Sequence, residues 1–417
     1  MGFILSGGMV YSGKGFSRAD VFIQNGIVSE IAPSISYSHH KKTLLNNLYI
    51  IPGFVDVHVH LREPGFSYKE TIKSGTLAAA RAGYTAVCAM PNLNPPPDSP
   101  ENLRVQTDII EKDAVIKVFP YATITRGQAG QELVDFEVMR DKAVAFSDDG
   151  IGVQSSAVME RAMIRAKEQN CIIAAHCEDN SLLHGGYIHD GRYAKKHGHK
   201  GLSSASEYKQ VERDLALAKK TGCRYNICHV STKESVELIR RAKSEGVKVT
   251  AETAPHYLLL CEDDLREEGR FKMNPPLRSK EDKAALTEGI KDGTIDIIAT
   301  DHAPHSKEEK AKGLAGSLMG VAGLETAFPV LYTGLVKAGI ITLEKLIELM
   351  CVNPRRYFGI SGGLEIGADA DIAVLDLENG YRINSEEFLS CGKSSPFDGM
   401  EVYGNNIITY CKGKRVW

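Results

Sequence analysis

The sequence predicts an α/β protein: a (β/α)8 TIM-like barrel with a small β-sandwich domain formed by the two chain ends. Three observations predict this fold. Apolar, β-branched runs alternate with helix-like segments eight times, both ends are rich in strand-like stretches, and polar residues collect where the central runs end. The 417 residues suffice for one large and one smaller domain. We expect the small domain at 1–50 and 358–417 and the barrel at 51–357.

The small domain is predicted from short strands separated by turns. These strands are Gly2–Tyr11, Ala19–Gln24, Ile27–Ile31, Asp371–Leu375 and Ile407–Cys411. Asn25-Gly26 is a typical hairpin turn between two of them. Since two β-rich ends flank a different middle, we expect them to pair with each other in one small sheet or sandwich.

The barrel is predicted from the alternation in the middle of the chain. The expected strands are 54–60, 84–90, 115–124, 143–148, 171–177, 224–230, 247–253 and 295–300. The expected helices include Lys69–Ala82, Ser155–Gln169, Ser203–Lys220, Thr232–Ser244 and Lys280–Lys291, then about 323–337 and 342–350. Ser231 and Ser279 are candidate N-caps. In such barrels the chemistry lies at the carboxyl ends of the strands, so these ends are the place to look for a site.

Composition excludes several classes of function. A hydrophobic fraction of 43% and a charged fraction of 25% are typical of soluble globular proteins. The net charge of −3 predicts no general attraction to nucleic acid or to an anionic membrane. The chain has no long apolar run and no signal-like start, and its nine cysteines show no CxxC pairing. We expect a cytoplasmic protein without disulfides that binds a small-molecule substrate.

The first strand end carries a His-x-His pair, His58-Val59-His60. Residues two apart on a strand face the same way, so both imidazoles can bind one divalent metal. Taken alone, a His-x-His pair is as typical of two surface histidines on an edge strand as it is of a metal site. Arg62 follows, where a guanidinium can bind an anionic substrate through two hydrogen bonds.

Further candidate ligands follow strands 4, 5, 6 and 8, and all of them would meet at one mouth of the barrel. A lone histidine at such a position is more often structural, but burying so many polar groups without a metal would be costly. The candidate metal ligands are His58, His60, Asp149, His176, His229 and Asp301. We expect a first ion on His58, His60 and Asp301, a second on His176 and His229, and Asp149 as a bridge. Nitrogen and oxygen ligands of this kind suit zinc, with manganese or cobalt as alternatives.

This order of ligands resembles the amidohydrolase superfamily, and finer motifs resemble the dihydroorotase family in its bacterial type I class. The motifs are Gly53-Phe54-Val55-Asp56-Val57-His58-Val59-His60-Leu61-Arg62, Met90-Pro91-Asn92, Phe146-Ser147-Asp148-Asp149-Gly150, His229-Val230-Ser231-Thr232, Met273-Asn274-Pro275-Pro276-Leu277-Arg278 and Ala299-Thr300-Asp301-His302-Ala303-Pro304-His305. Many relatives bridge their metals with a carboxylated lysine at strand 4. Here the nearest lysine, Lys142, lies at the wrong end of that strand, and Asp148 is expected to be a turn residue or an acceptor.

The resemblance implies a zinc enzyme with two ions per subunit that interconverts N-carbamoyl-L-aspartate and L-dihydroorotate in pyrimidine biosynthesis. It implies that Asp301 is the catalytic proton shuttle as well as a ligand. The implied substrate-binding residues are His60, Leu61, Arg62, Asn92, Asn274, His305, Met319 and Gly320. Met319 departs from the Phe-Gly that this class more often shows, and Asn274 is alternatively a turn residue before Pro275.

Two other functions remain open: another cyclic amidase, such as a hydantoinase or allantoinase, and a non-catalytic scaffold for aspartate transcarbamoylase. The family suggests a homodimer, and association of an active enzyme with aspartate transcarbamoylase is undecided. The polar segment Ser306–Leu318 is either a mobile loop over the mouth or a plain solvated loop. A second histidine cluster, His184, His189, His197 and His199, follows no strand, so we expect an exposed loop without a metal.

Overall fold

The computed structural model describes residues 2–417. Its strands are β1 Gly2–Tyr11, β2 Phe16–Gln24, β3 Ile27–Ala32, β4 Lys41–Leu44, β5 Tyr49–Pro52, β6 Phe54–Val59, β7 Tyr84–Ala89, β8 Lys117–Pro120, β9 Ile172–Ala175, β10 Ile188–His189, β11 Gly201–Leu202, β12 Arg224–Ile227, β13 Val249–Thr253, β14 Ile297–Ile298, β15 Ile372–Asp376, β16 Tyr381–Arg382, β17 Glu401–Val402, β18 Asn405–Cys411 and β19 Lys414–Arg415. Its α-helices are α1 Ile72–Arg81, α2 Pro100–Asp113, α3 Phe136–Met139, α4 Ser156–Glu168, α5 Arg192–His197, α6 Ala205–Thr221, α7 Lys233–Ser244, α8 Pro255–Leu259, α9 Lys280–Asp292, α10 Lys307–Lys310, α11 Gly313–Gly316, α12 Ala327–Leu331, α13 Leu343–Ile347 and α14 Asn353–Phe358. Short π-helical turns follow α12 and α13, at Tyr332–Val336 and Glu348–Val352.

The two chain ends pair in one eight-stranded sheet, as predicted. The strand order is β19-β18-β15-β5-β1-β2-β3, and β4 pairs with β1. The junction between the ends is β15 against β5, antiparallel, with Val374 opposite Ile50. The predicted domain limits, 1–50 with 358–417 and 51–357, stay a prediction.

The barrel consists of two parallel groups of strands that close on each other. One group is β6-β7-β8 and the other is β9-β12-β13-β14. Residue Phe146 forms bridges to Ala122 and Ile173 and joins the groups on one side, while Val59 pairs with His302 on the other. This ring of eight parallel segments, with helices between them, confirms the predicted fold.

The fourth barrel strand is shorter than the predicted 143–148. It pairs as single bridges at Phe146, although main-chain hydrogen bonds continue on both sides, such as Val144 N to Pro120 O at 2.9 Å. The ladder ends where the Asp148 carboxylate accepts from the amides of Ile124 (2.8 Å) and Thr125 (3.1 Å). Because a side chain replaces the main-chain partner there, the chain turns and delivers Asp149 to the mouth.

Side-chain caps explain where the barrel helices begin. Helix α9 begins after Ser279, whose hydroxyl accepts from Asp282 N, as predicted. Helix α7 is capped by Thr232 instead of the predicted Ser231, since Thr232 Oγ1 is the atom that accepts from Ser235 N, while the Ser231 hydroxyl is bound to the buried carboxylate of Glu207. Helix α1 begins at Ile72, three residues later than predicted, because Thr71 is its cap.

The segment between β14 and α12 has more structure than a solvated loop. It contains α10 and α11, and α10 begins with a capping box between Ser306 and Glu309. Among residues 2–417, no helix is long and apolar enough to cross a membrane.

Candidate metal centre

A cavity of about 220 Å³ opens at the carboxyl ends of the barrel strands. It is lined by His60, Arg62, Asn92, Asp149, Gly150, His176, His229, Asn274, Asp301, Ala303, His305, Met319 and Gly320. His58 lies beneath it and is completely buried. The structure therefore brings together, at one mouth, all the predicted site residues except Leu61.

The carboxylate of Asp149 lies in the middle of four histidines. Its Oδ1 atom is 3.5 Å from His58 Nε2, 3.6 Å from His229 Nε2 and 3.8 Å from His176 Nδ1. Its Oδ2 atom is 3.6 Å from His60 Nε2. Since Oδ1 lies near both histidine pairs and Oδ2 lies near His60, this carboxylate is within reach of two potential ion positions.

Asp301 faces only the first histidine pair. Its Oδ1 atom lies 3.1 Å from His60 Nε2 and 3.6 Å from His58 Nε2. On the other side of Asp149, His176 Nδ1 and His229 Nε2 are 3.0 Å apart. Asp301 therefore lies on the side of His58 and His60, and His176 and His229 lie on the other side of Asp149; the assignment of these residues to two ions stays a prediction.

The second ring nitrogen of three of the four histidines contacts a side chain that is not a predicted metal ligand. His58 Nδ1 lies 3.2 Å from Glu252 Oε2, and His60 Nδ1 lies 2.8 Å from Asn92 Oδ1. His176 Nε2 lies 3.4 Å from Glu178 Oε2. Such partners fix the tautomer and the ring orientation, so that the opposite nitrogen faces a metal with its lone pair.

The ionisation of the two aspartates is set by the histidines. Burial alone would raise the pKa of Asp149, but the neighbouring imidazoles, His58 foremost, hold it well below its usual range. Burial also opposes ionisation of Asp301, yet the contact with His60 and the charges nearby hold its pKa below the usual value. Despite burial, Asp149 raises the pKa of His58. Both carboxylates are therefore anionic and ready to bind a cation.

The donor set fits divalent metal ions. His58 Nε2 and Asp149 Oδ1 are buried and have no hydrogen-bond partner among the described residues, which is costly unless a cation binds there. Potential ligand atoms lie within 4.8 Å of one another in two groups that share Asp149. The groups are His58 with His60 and Asp149, and Asp149 with His176 and His229. A further group of this kind, His58 with Cys228 and Glu252, lies beneath them.

Three residues of the site have strained backbones. Arg62, His229 and Asp301 have φ values of 59°, 33° and 47°, in the left-handed region that side chains with a Cβ rarely adopt. Each of them stands two or three residues after the end of a barrel strand, namely β6, β12 and β14. Strain of this kind, about 1–3 kcal/mol per residue, persists where the surrounding structure enforces it and is common at functional sites.

The guanidinium of Arg62 is buried at the rim of the cavity. Its Nε donates to Pro304 O at 3.2 Å, and its other nitrogens have no carboxylate within 4.0 Å among the described residues. Burial lowers the pKa of Arg62, although Asp301 and Asp149 act against this. A cation held this way can bind the carboxylate of a ligand.

His305 is a neutral hydrogen-bonding group. Its Nε2 donates to Met319 O at 2.7 Å, and its Nδ1 accepts from Lys69 Nζ at 3.2 Å. Burial and the charges of Arg62 and Lys69 lower the pKa of His305 to about 3. Its Nδ1 also lies 3.4 Å from Glu309, but a ring that accepts from a lysine there is not protonated at that atom.

The other predicted substrate contacts differ in their exposure to the cavity. Asn274 Nδ2 donates to Glu178 Oε1 at 3.0 Å, and its Oδ1 has no partner among residues 2–417. The Met319 and Gly320 backbone lines the wall. Leu61 does not line the cavity: its side chain is buried and packs against Gly75 of α1.

Several positions of the sequence lie away from the centre. Lys142 is exposed, and no lysine of the described chain lines the cavity. Asp148 is an acceptor for backbone amides, as expected.

The second histidine cluster lies in a segment with β10, α5 and β11, where His199 bonds Tyr187 and Glu267. None of its members belongs to the potential metal-binding groups of residues 2–417.

Sequence reasoning missed Glu252 and Glu178, which hold the outer nitrogens of His58 and His176. Both glutamates lie at or just after the carboxyl ends of barrel strands, and this position in the sequence could have identified them as site residues. Lys69 was missed as well, because it precedes α1 and gives no sign in the sequence that it contacts His305.

The chain is similar to known proteins over most of its length. The family model described as Dihydro-orotase-like matches residues 48–235. The dihydroorotase of Bacillus cytotoxicus is 50% identical over 401 residues, covering 95% of this chain and 94% of the relative. The dihydroorotase of Bacillus thuringiensis is 49% identical with the same coverage.

Solved structures of similar fold include a hydantoinase and a dihydropyrimidinase. The L-hydantoinase (dihydropyrimidinase) of Arthrobacter aurescens superimposes with a TM-score of 0.90 at 28% identity, over 99% of this chain and 95% of that one. The dihydropyrimidinase of Brevibacillus agri superimposes with a TM-score of 0.87 at 22% identity, over 100% and 95%. The second likeness concerns the fold alone.

Proposed function

This chain belongs to the dihydroorotase family, and we propose that it interconverts N-carbamoyl-L-aspartate and L-dihydroorotate at the mouth of its barrel, a step of pyrimidine biosynthesis. It is a cyclic amidohydrolase. The single observation that carries the proposal is the position of Asp149 between two histidine pairs, beside the buried cation of Arg62.

We propose that the centre binds two zinc ions. His58, His60 and Asp301 would hold the first, His176 and His229 the second, and Asp149 would bridge them. Imidazole and carboxylate ligands suit zinc. When bound, two such ions activate a water molecule and polarise the substrate carbonyl.

We assign the proton transfer to Asp301. In hydrolysis, a water oxygen adds to the ring amide carbonyl, the C–N bond breaks, and a proton moves from the water to the departing nitrogen. Asp301 Oδ1 takes this proton and then donates it, because the carboxylate begins in its anionic form. In cyclisation the same steps run backwards.

We assign substrate binding to the rim. The guanidinium of Arg62 pairs with the carboxylate of the ring, since its fork matches that group. The amides of Asn92 and Asn274 and the backbone of Met319–Gly320 contact the polar edge. His305 contributes a neutral ring, and Leu61 contributes through its backbone.

A hydantoinase activity is the second candidate, because the Arthrobacter aurescens L-hydantoinase shares the fold over nearly the whole chain. The lack of a lysine at the cavity and the buried Arg62 favour dihydroorotate instead. The test compares initial rates of the purified, zinc-loaded enzyme on dihydroorotate, hydantoin and allantoin. We expect dihydroorotate to be preferred, and a faster rate on hydantoin or allantoin would reverse the assignment.

The metal-site residues also bear on which class of the dihydroorotase family the chain belongs to. We propose that the chain belongs to the bacterial type I class, because Asp149 lies between the two histidine pairs where a bridging ligand would stand. We further propose that the chain forms a homodimer in the cytoplasm. Association of the active enzyme with aspartate transcarbamoylase is undecided. Gel filtration of the enzyme with and without that partner tests both assemblies.

A further inference from the structure

Lys310 is a buried lysine at the end of α10, behind the wall of the cavity. Only 8% of its surface is exposed. Its ammonium forms no ion pair within the part of the chain that the structure describes, residues 2–417. A buried charge is stable only if its hydrogen bonds are satisfied, so the partners of this ammonium decide what it does.

Three backbone carbonyls accept from the ammonium of Lys310. Nζ lies 3.0 Å from Lys272 O, 2.8 Å from Leu318 O and 2.7 Å from Gly320 O. An ammonium has three donors, and all three are used. Burial lowers the pKa of Lys310 to about 7, but three carbonyl acceptors favour the protonated form, whose bonds are stronger than those of a neutral donor and hold the three acceptors in place.

The three carbonyls belong to two segments that form the cavity wall. Leu318 and Gly320 flank Met319, whose own carbonyl accepts from His305 at 2.7 Å. Lys272 precedes Asn274 by two residues, and its carbonyl also accepts from Gly320 N at 3.0 Å. One ammonium therefore ties the Met319–Gly320 backbone to the segment that carries Asn274.

The backbone at Gly320 leaves little room for displacement. Its φ is +138°, and a Cβ added there would lie 2.4 Å from Ala303 O. The segment is thus packed against the residues that follow Asp301, and a small shift of it changes the shape of the cavity.

We propose that Lys310 is a positioning residue for substrate binding: it holds the Met319–Gly320 backbone and the Asn274 segment in the geometry that contacts the substrate. This inference rests on the proposed function, which assigns those groups to the substrate. Since the held groups contact the non-reacting edge, loss of Lys310 affects binding of substrate and transition state alike.

The test uses Lys310→Met, which keeps the side-chain length and removes the donors. Lys307→Met and Lys312→Met are matched controls, because both lysines are exposed in the same segment. The readouts are kcat and KM for dihydroorotate, and hydrogen exchange of the peptide 306–320 in the zinc-loaded enzyme without substrate. For Lys310→Met we expect KM to rise about 10-fold or more, kcat to stay within about twofold, and exchange in 306–320 to accelerate.

Lys310→Gln keeps an amide donor, so we expect an intermediate KM, and this variant serves if Lys310→Met does not fold. Wild-type KM and wild-type exchange in a folded variant would overturn the proposal, as would a fall in kcat at unchanged KM. A wild-type enzyme inactive on dihydroorotate would overturn the proposed function instead, while the exchange comparison would still decide whether Lys310 holds the segment.

Discussion

His58 and Glu252 form a buried pair in which His58 Nδ1 lies 3.2 Å from Glu252 Oε2, and neither side chain is exposed. The other carboxylate oxygen of Glu252 accepts from Asn226 Nδ2 at 2.6 Å. A carboxylate acceptor at Nδ1 favours the neutral tautomer with its proton there, which leaves the lone pair of Nε2, the atom that faces Asp149 and Asp301, free for a metal ion. The tautomer of a predicted ligand is thus set by a residue outside the predicted site.

Replacing Glu252 with Gln is expected to weaken metal binding by about 10- to 100-fold, the usual effect of losing such a partner. The amide keeps the shape of the carboxylate but gives His58 a poorer acceptor. Competition with a chelator, followed by metal analysis, measures the affinity. Glu237→Gln, on the exposed face of α7, is the control, and equal zinc affinity in both variants would refute the orienting role.

Asp301→Asn is expected to lower kcat by at least about 100-fold, the lower end of what a positioned general base contributes. The amide cannot take up the proton from the attacking water. Circular dichroism and metal analysis establish that the variant is folded and still loaded. Asp141→Asn, at an exposed position, is the control, and near-normal turnover in Asp301→Asn would exclude the proton-transfer role.

Arg62→Met is expected to raise KM for dihydroorotate by about 30-fold or more, corresponding to roughly 2 kcal/mol for a buried charge pair. The methionine fills much of the same space but cannot pair with the carboxylate of the substrate. Initial rates over a range of substrate concentrations give KM. Arg126→Met serves as the exposed control, and an unchanged KM in Arg62→Met would show that another group binds the carboxylate.

His305 is expected to stay neutral throughout the working range of the enzyme. Burial and the cations Arg62 and Lys69 lower its pKa to about 3, so the ring gains a proton only below that pH. His305→Gln should therefore raise KM about 10-fold, the scale of one hydrogen bond to a charged group, and keep the shape of the pH–rate profile between pH 5 and 8. If the wild-type profile falls at low pH and this fall is lost in His305→Gln, then His305 gains a proton in that range and is not neutral.

Much of the barrel and most of the centre were predictable because parallel strands bring their carboxyl ends together. Asp149, His176 and His229 follow successive apolar runs, and strand geometry alone directs them to one mouth. The length of the fourth strand was not predictable, because it depends on amides of Ile124 and Thr125 that bond to the Asp148 side chain.

Long-range contacts account for what the sequence did not predict. Glu252 is 194 residues from His58, and a glutamate near the end of a strand resembles many structural ones. Lys310 lies in a polar, glycine-rich segment, and this composition predicts that its side chain is exposed to solvent. Only the folded chain brings it against the carbonyl of Lys272, 38 residues earlier.

We propose that a two-zinc centre bridged by Asp149 catalyses the dihydroorotase reaction. Measuring zinc per chain and activity on N-carbamoyl-L-aspartate in the same preparation, before and after chelation, tests this. We expect two zinc ions per chain and formation of dihydroorotate, with activity lost on chelation and restored by zinc. Two bound metals without turnover, or full activity after their removal, would show that this centre does not catalyse the reaction.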